Sequence, residues 1–349
     1  MFGVSSQQLT LETSLDAALN ETSGLLYLNN TLITHNDSAN TNQLFDIDTS
    51  TGAVARTVTI TNATNEDWED LTQDGTYIYI GDFGNNQGDR TDLKIYRISI
   101  ADYFSSTSVT ADVINFSYSN QTDFTSSPLA TNFDAEALIH YNNMLYVFSK
   151  NWLDGKTNIY ELSKVPGTHS ISMIDTIESQ GLVSGATHNT FDGSIMICGY
   201  DINGPFLIQL SAFNSGLFSN GNVIKTTVSV PVNYSPQIEG VIPINATEYY
   251  LSAEENSSNA SGLYSFNVST LNVEGYNDAS ISFYPNPAEN TITLSQYDCE
   301  TKIYAITGQM VKTSTEKQID ISDLSSGVYL VKIIGSTDNN TTLKKLIVN

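Results

Sequence analysis

The residues best suited to chemistry recur along this sequence at a regular interval. Ser23-Gly24-Leu25, Glu69-Asp70-Leu71, Glu136-Ala137-Leu138, Ser184-Gly185-Ala186 and Glu239-Gly240-Val241 each place a small or branched apolar residue two positions after a Ser or Glu. A turn and a strong apolar strand follow each unit. The intervals are 46, 67, 48 and 55 residues, the size of a four-stranded propeller blade with variable loops. In a propeller, equivalent positions of the innermost strands ring a central channel. Ser23, Glu69, Glu136, Ser184 and Glu239 are therefore expected at one depth. Three carboxylates brought that close cannot all stay charged alone: either they take up protons or a cation sits among them. Carboxylates, hydroxyls and water are hard oxygen ligands. A roomy ring of them suits Ca2+ better than Zn2+ or the tighter octahedron of Mg2+.

The elements that must position this ring are short strands. Tyr (19) outnumbers Lys and Arg together (14), and Asn, Ser and Thr fill the gaps. That is an all-β composition, with no long stretch of helical periodicity. After each unit comes a second strand, such as Thr76–Ile80, Met144–Ser149, Ser194–Cys198 or Glu248–Ser252. A third follows, as in Gln43–Ile47, Leu93–Ile98, Asn158–Leu162, Phe206–Leu210 and Gly262–Phe266. A variable fourth comes last, as in Ala53–Ile60, Val113–Tyr118, Ile171–Ile177 and Val223–Val230. The fifth unit lacks a fourth strand, and Gln8–Glu12 at the start of the chain can supply it, which would remove the open edges. The expected architecture over residues 1–274 is a five-bladed β-propeller closed by an N-terminal strand. The alternative is six blades, with a degenerate blade inside the 67-residue interval.

The loops after each first inner hairpin should open on one face. They carry Asp37, Lys150-Asn151-Trp152, Asp201, Glu254 and the polar run Gly81–Arg90, with Asp82, Asn85, Asn86 and Arg90. That run could line a pocket, or it could be turn chemistry alone, with Gly and Asn supplying positive φ. Trp68 is either packed between blades or a stacking platform for a sugar. His35, His140, His169 and His188 lack metal-ligand spacing, and no Ser/His/Asp set stands out, so catalytic residues stay unassigned. The net charge of −24 turns the chain away from nucleic acid and anionic lipid. Cys198 and Cys299 fall in different regions and are not expected to pair. No stretch is long and apolar enough to span a membrane. Met1–Gln8 has no signal-peptide features, so the numbering is expected to begin near a mature N-terminus.

After Val273 the character changes. Ser282-Phe283-Tyr284-Pro285-Asn286-Pro287, Lys302–Gln309, Ile319–Ile333 and Lys344-Lys345-Leu346-Ile347-Val348 follow one another as alternating strands joined by Gly turns. This points to a small immunoglobulin-like β-sandwich over 281–349, behind a linker at 275–280. The segment resembles the type A C-terminal sorting domain of type IX secretion. The resemblance implies recognition by the outer-membrane translocon, cleavage near Asn272–Ser280, and a secreted or surface-attached product. The Ser, Glu, Glu, Ser, Glu order is similar to the ring around the central calcium of calcium-activated nucleotidases, which are five-bladed propellers. Their Glu-Trp motif has a counterpart in Asp67-Trp68-Glu69-Asp70-Leu71, with Trp and Glu in the opposite order, and their acidic turn in Asn36-Asp37-Ser38. Nucleotide hydrolysis carries over poorly, because only eight of the 14 basic residues precede the tail and polyphosphates need such groups. Two readings follow. One is a calcium-holding extracellular module for a small-molecule or glycan ligand. The other is a metal-dependent hydrolase of phosphoesters, lactones or glycans.

Overall fold

A computed structural model describes residues 7–230, 237–268, 282–295, 299–305, 309–335 and 341–349. The proposed linker, the cleavage region and residues 306–308 lie outside the described residues. The chain divides into two compact units, between residues 269 and 270.

The larger unit is an all-β, propeller-like domain of five sheets, each with an antiparallel four-stranded ladder. Their first strands are Thr22–Leu28, Trp68–Gln73, Ala135–Tyr141, Leu182–His188 and Ile238–Pro243. Each of these strands packs against the next, and the fifth packs against the first. The ladders run outward from them in chain order. In the second sheet, Trp68–Gln73 pairs with Tyr77–Asp82, then Lys94–Ser99, then Asp112–Tyr118. Alternation explains the near-continuous apolar strands. Ile78 and Ile80 pack toward the first sheet with Leu26 and Ile33, whereas Tyr79 packs toward the third with Leu138 and Leu145. Both faces are buried, so both parities are apolar.

The N-terminal run divides at Leu9. Thr10–Ser14 pairs with Gly262–Asn267 as the outer strand of the fifth sheet. Gln7–Gln8 instead pairs in parallel with Asn222–Ser229 of the fourth sheet. The segment Ile171–Ile177, expected as one strand, divides similarly. Met173–Ile177 completes the third sheet, while Gly167–Ile171 runs parallel to Asp112–Tyr118 of the second. Ser108–Val109 does the same against Val54–Ile60 of the first. In three of the five sheets, then, the connection before the next sheet's fourth strand covers the outer edge. The edges of the other two meet other partners. Ser219 donates its N–H and hydroxyl to Asp175 of the third sheet at 2.8 and 2.6 Å. Gly52 accepts from Asp16, beside the end of Thr10–Ser14, at 2.9 Å.

All five inner hairpins carry a β-bulge at one level. Register slips between Thr22 and Leu25, Trp68 and Asp70, Ala135 and Ala137, Val183 and Gly185, and Ile238 and Gly240. The unpaired residues are Ser23-Gly24, Glu69, Glu136, Ser184 and Glu239. A bulge re-aims the extra side chain away from the regular pleat. Glycines beside the bulges let neighbouring strands approach: a Cβ on Gly24 would lie 2.7 Å from Asp70 Cα, and one on Gly240 would lie 2.6 Å from the Ser23 carbonyl oxygen.

The smaller unit has a three-stranded and a four-stranded antiparallel sheet. Ile292, Ile303, Ile319, Val331, Ile333 and Leu346 share its core. Cys198 and Cys299 are both buried.

Gly24→Ala is expected to destabilise the larger unit by about 2 kcal/mol, because backbone rather than a side chain stands in the way. Gly193→Asn, at φ +78° with nothing within 4 Å of a Cβ, is expected to change stability by less than about 0.5 kcal/mol. Urea unfolding of the two variants beside wild type checks the contrast.

Candidate metal centre

The five expected ring residues lie at the bulge level, and all are buried. Their roles differ. The two serines tie adjacent inner strands: Ser23 Oγ donates to the Glu69 carbonyl and Ser184 Oγ to the Ile238 carbonyl, each at 2.5 Å. Glu136 pairs with the buried ammonium of Lys150 at 3.0 Å. Burial works against that charge, but Glu136 and then Glu239 outweigh it and hold Lys150 well above its usual range. Trp152 and Tyr200 flank the ammonium, with ring centroids at 5.2 and 5.4 Å. The ring is thus uneven, with one sector already holding a cation of its own.

Glu69 has no such counter-charge. One oxygen each from Asp37, Asp67 and Glu69 lies within 4.8 Å of the others. Asp37 follows the strand Thr31–Asn36, and the side-chain amide of Asn65 holds the carbonyls of Asn36 and Asp37 at 3.0 and 2.8 Å. Asp67 stands just before the inner strand. Its carbonyl accepts from Phe83 and Gly84 at 3.1 and 3.2 Å, and its N–H donates to Asp82 at 3.2 Å. Gly84 forms the wall of this cradle. A Cβ there would lie 2.1 Å from Glu69 Oε1 and 2.4 Å from Asp67 Oδ2. Nearby, the buried Glu239 Oε1 has no hydrogen-bond partner. The donor set fits a hard divalent cation: carboxylate oxygens converge, one wall is bare of side chain, and among the described residues none of the three acids is ion-paired, although Lys150 and Arg90 act on Asp37 and Asp67 from a distance.

Burial and mutual repulsion leave these acids reluctant to ionise. Burial pushes Asp37 up to about 6 and Asp67 to about 7. It pushes Glu239 to about 7 and Glu254 to about 8. Glu69 is held well above the usual range by burial, then by Glu136, Asp37 and Asp67.

Other residues expected on the ligand face are engaged with the protein. Trp68 is in the core, not on that face: it is fully buried against His35 and Tyr96, and its Nε1 donates to the Thr64 carbonyl at 2.9 Å. Asp82 is fully buried between Arg90 and Lys94, at 2.9 and 3.5 Å. Asn85 is buried, bonding the Phe133 carbonyl at 3.1 Å and the Arg90 N–H at 2.9 Å. Asn151 is buried, bonding Asp154 at 3.0 Å and Ser149 at 2.6 Å. Asp201 pairs with Lys225 at 2.7 Å, and Trp152 Nε1 donates to Asp134 at 2.7 Å. Asn86 is exposed, and Glu254 is half-buried. The run Gly81–Arg90 is therefore chiefly a self-satisfied turn, with Gly84 its contribution to the cradle. Asp67 and Gly84 lie outside the repeated unit. Asp67 is signalled by the density of acids in Asp67-Trp68-Glu69-Asp70 and by Glu21 and Asp134 at the same place before two other units, whereas Gly84 sits in the polar run Gly81–Arg90, where turn chemistry already accounts for it.

Residues 282–349 match the secretion system C-terminal sorting domain. This sorting domain marks the chain for secretion and surface attachment by the type IX system. No curated protein matches the chain. Among solved structures, the chain is similar to PorZ, a surface component of the type IX secretion system of Porphyromonas gingivalis. That likeness has 14% identity and a TM-score of 0.34, and covers 94% of this chain and 45% of PorZ. The chain thus spans less than half of PorZ. It is also similar to the PQQ-bound aldose sugar dehydrogenase of Streptomyces coelicolor, with 10% identity, a TM-score of 0.41, and 74% and 97% coverage. A third is the α-L-arabinofuranosidase PaAbf62A of Podospora anserina, with 9% identity, a TM-score of 0.40, and 74% and 96% coverage. No helix among the described residues is long and apolar enough to cross a membrane.

Acids raised in the folded state bind more protons folded than unfolded, so their ionisation costs stability as pH rises from the ordinary carboxylate range through the folded pKa. With divalent cations removed, the unfolding midpoint is expected to fall steadily between pH 5 and 8, the window of Asp37, Asp67, Glu239 and Glu254. Glu254→Gln is expected to flatten the upper part of that slope. A thermal-unfolding series across pH checks both.

Proposed function

We propose that this chain is an extracellular binding module. It is a five-bladed propeller closed by Thr10–Ser14, it holds a calcium ion at one mouth, and its sorting domain delivers it through the type IX translocon. The closed order of inner-strand contacts and the outer pairing of Thr10–Ser14 support the blade count and the closure. The observation that carries the calcium reading is the cradle of Asp37, Asp67 and Glu69 against Gly84. In this reading Asp37, Asp67 and Glu69 hold the ion. Glu239, with its unpartnered oxygen, and the serines Ser23 and Ser184 stand close by, and Glu136 belongs to Lys150. The calcium-activated nucleotidase likeness is then one of architecture and ion. A nucleotide is a poor ligand here, because each of the eight basic residues before the tail is ion-paired with a carboxylate.

A second reading, a metal-dependent hydrolase, draws on a specific observation. Glu254, pushed up to about 8 by burial, can keep a proton near neutral pH and pass it on, as a general acid or base must. A bound cation would supply polarisation of a phosphoester, lactone or glycan oxygen.

Calcium is expected to raise the unfolding midpoint of the chelator-treated full chain by a few degrees. Glu69→Gln should lose the shift and Glu136→Gln should keep most of it. No shift in wild type, with no metal by elemental analysis, would remove the calcium reading. Turnover of a model phosphoester or lactone that Glu254→Gln lowers at least about tenfold would promote the hydrolase. Deleting residues 282–349 is expected to leave the protein inside the producing cell, read by immunoblot of cell and medium fractions.

A further inference from the structure

The opposite end of the axis holds a different cavity. The inner strands run away from the acidic mouth, and their hairpin turns enclose a space of about 470 Å³ with walls from all five sheets. Ligand pockets are commonly of this size. Glu69 and Thr72 in the cavity wall stand three steps apart along one strand, roughly 10 Å. Between them the Asp70 carboxylate crosses the axis, accepting from the Leu138 N–H at 2.8 Å and the Ala186 N–H at 3.3 Å. Leu71, Leu138 and Ala186 are buried around it. The two ends are therefore separate sites.

The chemistry of this cavity is neutral, in a chain of net charge −24. Its one carboxylate, Asp74, is taken by Lys164 at 2.6 Å, the Tyr79 hydroxyl at 2.9 Å and two backbone N–H groups. No charge is left for an ionic ligand. Hydroxyls line it instead. Thr72 accepts the His140 N–H at 3.0 Å, which leaves its own proton to donate. Thr187 and Thr190 add two more hydroxyls. Burial lowers both His140 and His188, so both rings are neutral at neutral pH. Aromatic faces complete the wall. Tyr141 stands edge-on to His188 at 5.1 Å, and Phe191 lies at the rim, 62% exposed.

We infer that this cavity is a second binding site, for a neutral saccharide. Threonine hydroxyls would meet sugar hydroxyls, and Phe191 and Tyr141 would meet the apolar C–H face. A charged sugar has no counter-ion there. The inference is independent of the calcium reading, which concerns the other end of the axis.

Saturation-transfer NMR on the full chain tests it, with glucose, galactose, mannose, xylose and N-acetylglucosamine as probes and glucuronate as the charged counterpart. At least one neutral sugar is expected to show transfer, with glucuronate clearly weaker. Phe191→Ala and Thr190→Val, both at exposed positions, are expected to keep the wild-type unfolding midpoint and each weaken binding roughly fivefold. Chelator should leave the binding unchanged. The inference is overturned by absence of transfer to all five neutral sugars, by equal binding of glucuronate, or by binding that survives both substitutions. Binding lost on chelation would place the sugar at the acidic mouth and overturn it equally.

Discussion

Five innermost strands with no sixth to cover them leave one row of backbone N–H and C=O groups facing the axis, where water is scarce. Buried groups of this kind are costly unless paired. The axis is built from the side chains that pair them. Asp70 accepts from Leu138 and Ala186, Thr72 accepts from His140, and Ser23, Ser184 and Ser252 donate to the carbonyls of Glu69, Ile238 and Ser23. Each of these bonds joins one sheet to another. Small polar residues at the start of the inner strands thus serve the fold before they serve any ligand, and the glycines beside them set how near the strands can come.

The same constraint shapes the acidic mouth. A bulge in every inner hairpin turns one extra side chain out of the pleat. Where that residue is Ser it bonds a neighbouring carbonyl, and where it is Glu it adds charge. Lys150 answers Glu136, which leaves the acidity concentrated on Asp37, Asp67 and Glu69. Five-fold repetition supplies the frame, and the departures from it, one lysine and one glycine, decide where a cation would be held. The far end of the axis inherits the same strands without the acids.

Much of this was legible in the sequence. The recurrence of Ser or Glu before a small apolar residue marks the inner strands, and Gln43–Ile47 falls on an observed strand to the residue. Gln8–Glu12 was readable as an outer strand of the fifth sheet, since it precedes the first unit where the other fourth strands precede theirs and the fifth unit lacks one of its own. Its division was not, because two-residue parallel pairings such as Gln7–Gln8 have no pattern of their own. Glu69 is visible through its repeat, whereas Asp67 stands two residues before the unit, at a position that is acidic in the first three units (Glu21, Asp67, Asp134) but not in the last two. Trp68 was open to two readings, because an aromatic residue beside acids can be platform or core, and its burial decides for packing. The pairing of Lys150 with Glu136 depends on a long side chain reaching across one hairpin, which spacing alone does not give. Gly84 reads as turn chemistry until the carboxylates are placed against it.

The contribution of edge strands from one sheet to the one before it has a consequence for chain order. Ser108–Val109 covers a sheet that ends at Ile60, and Gly167–Ile171 covers one that ends at Tyr118. These two sheets therefore keep a bare edge until about 50 further residues have been added. The fifth sheet gains its outer strand from the segment made first. A growing chain is thus protected from its leading end backward, like overlapping tiles laid in one direction, and the fifth sheet is complete only when Gly262–Asn267 meets Thr10–Ser14. A chain cut short anywhere in this unit would carry both a bare edge and an unclaimed strand able to pair with another molecule.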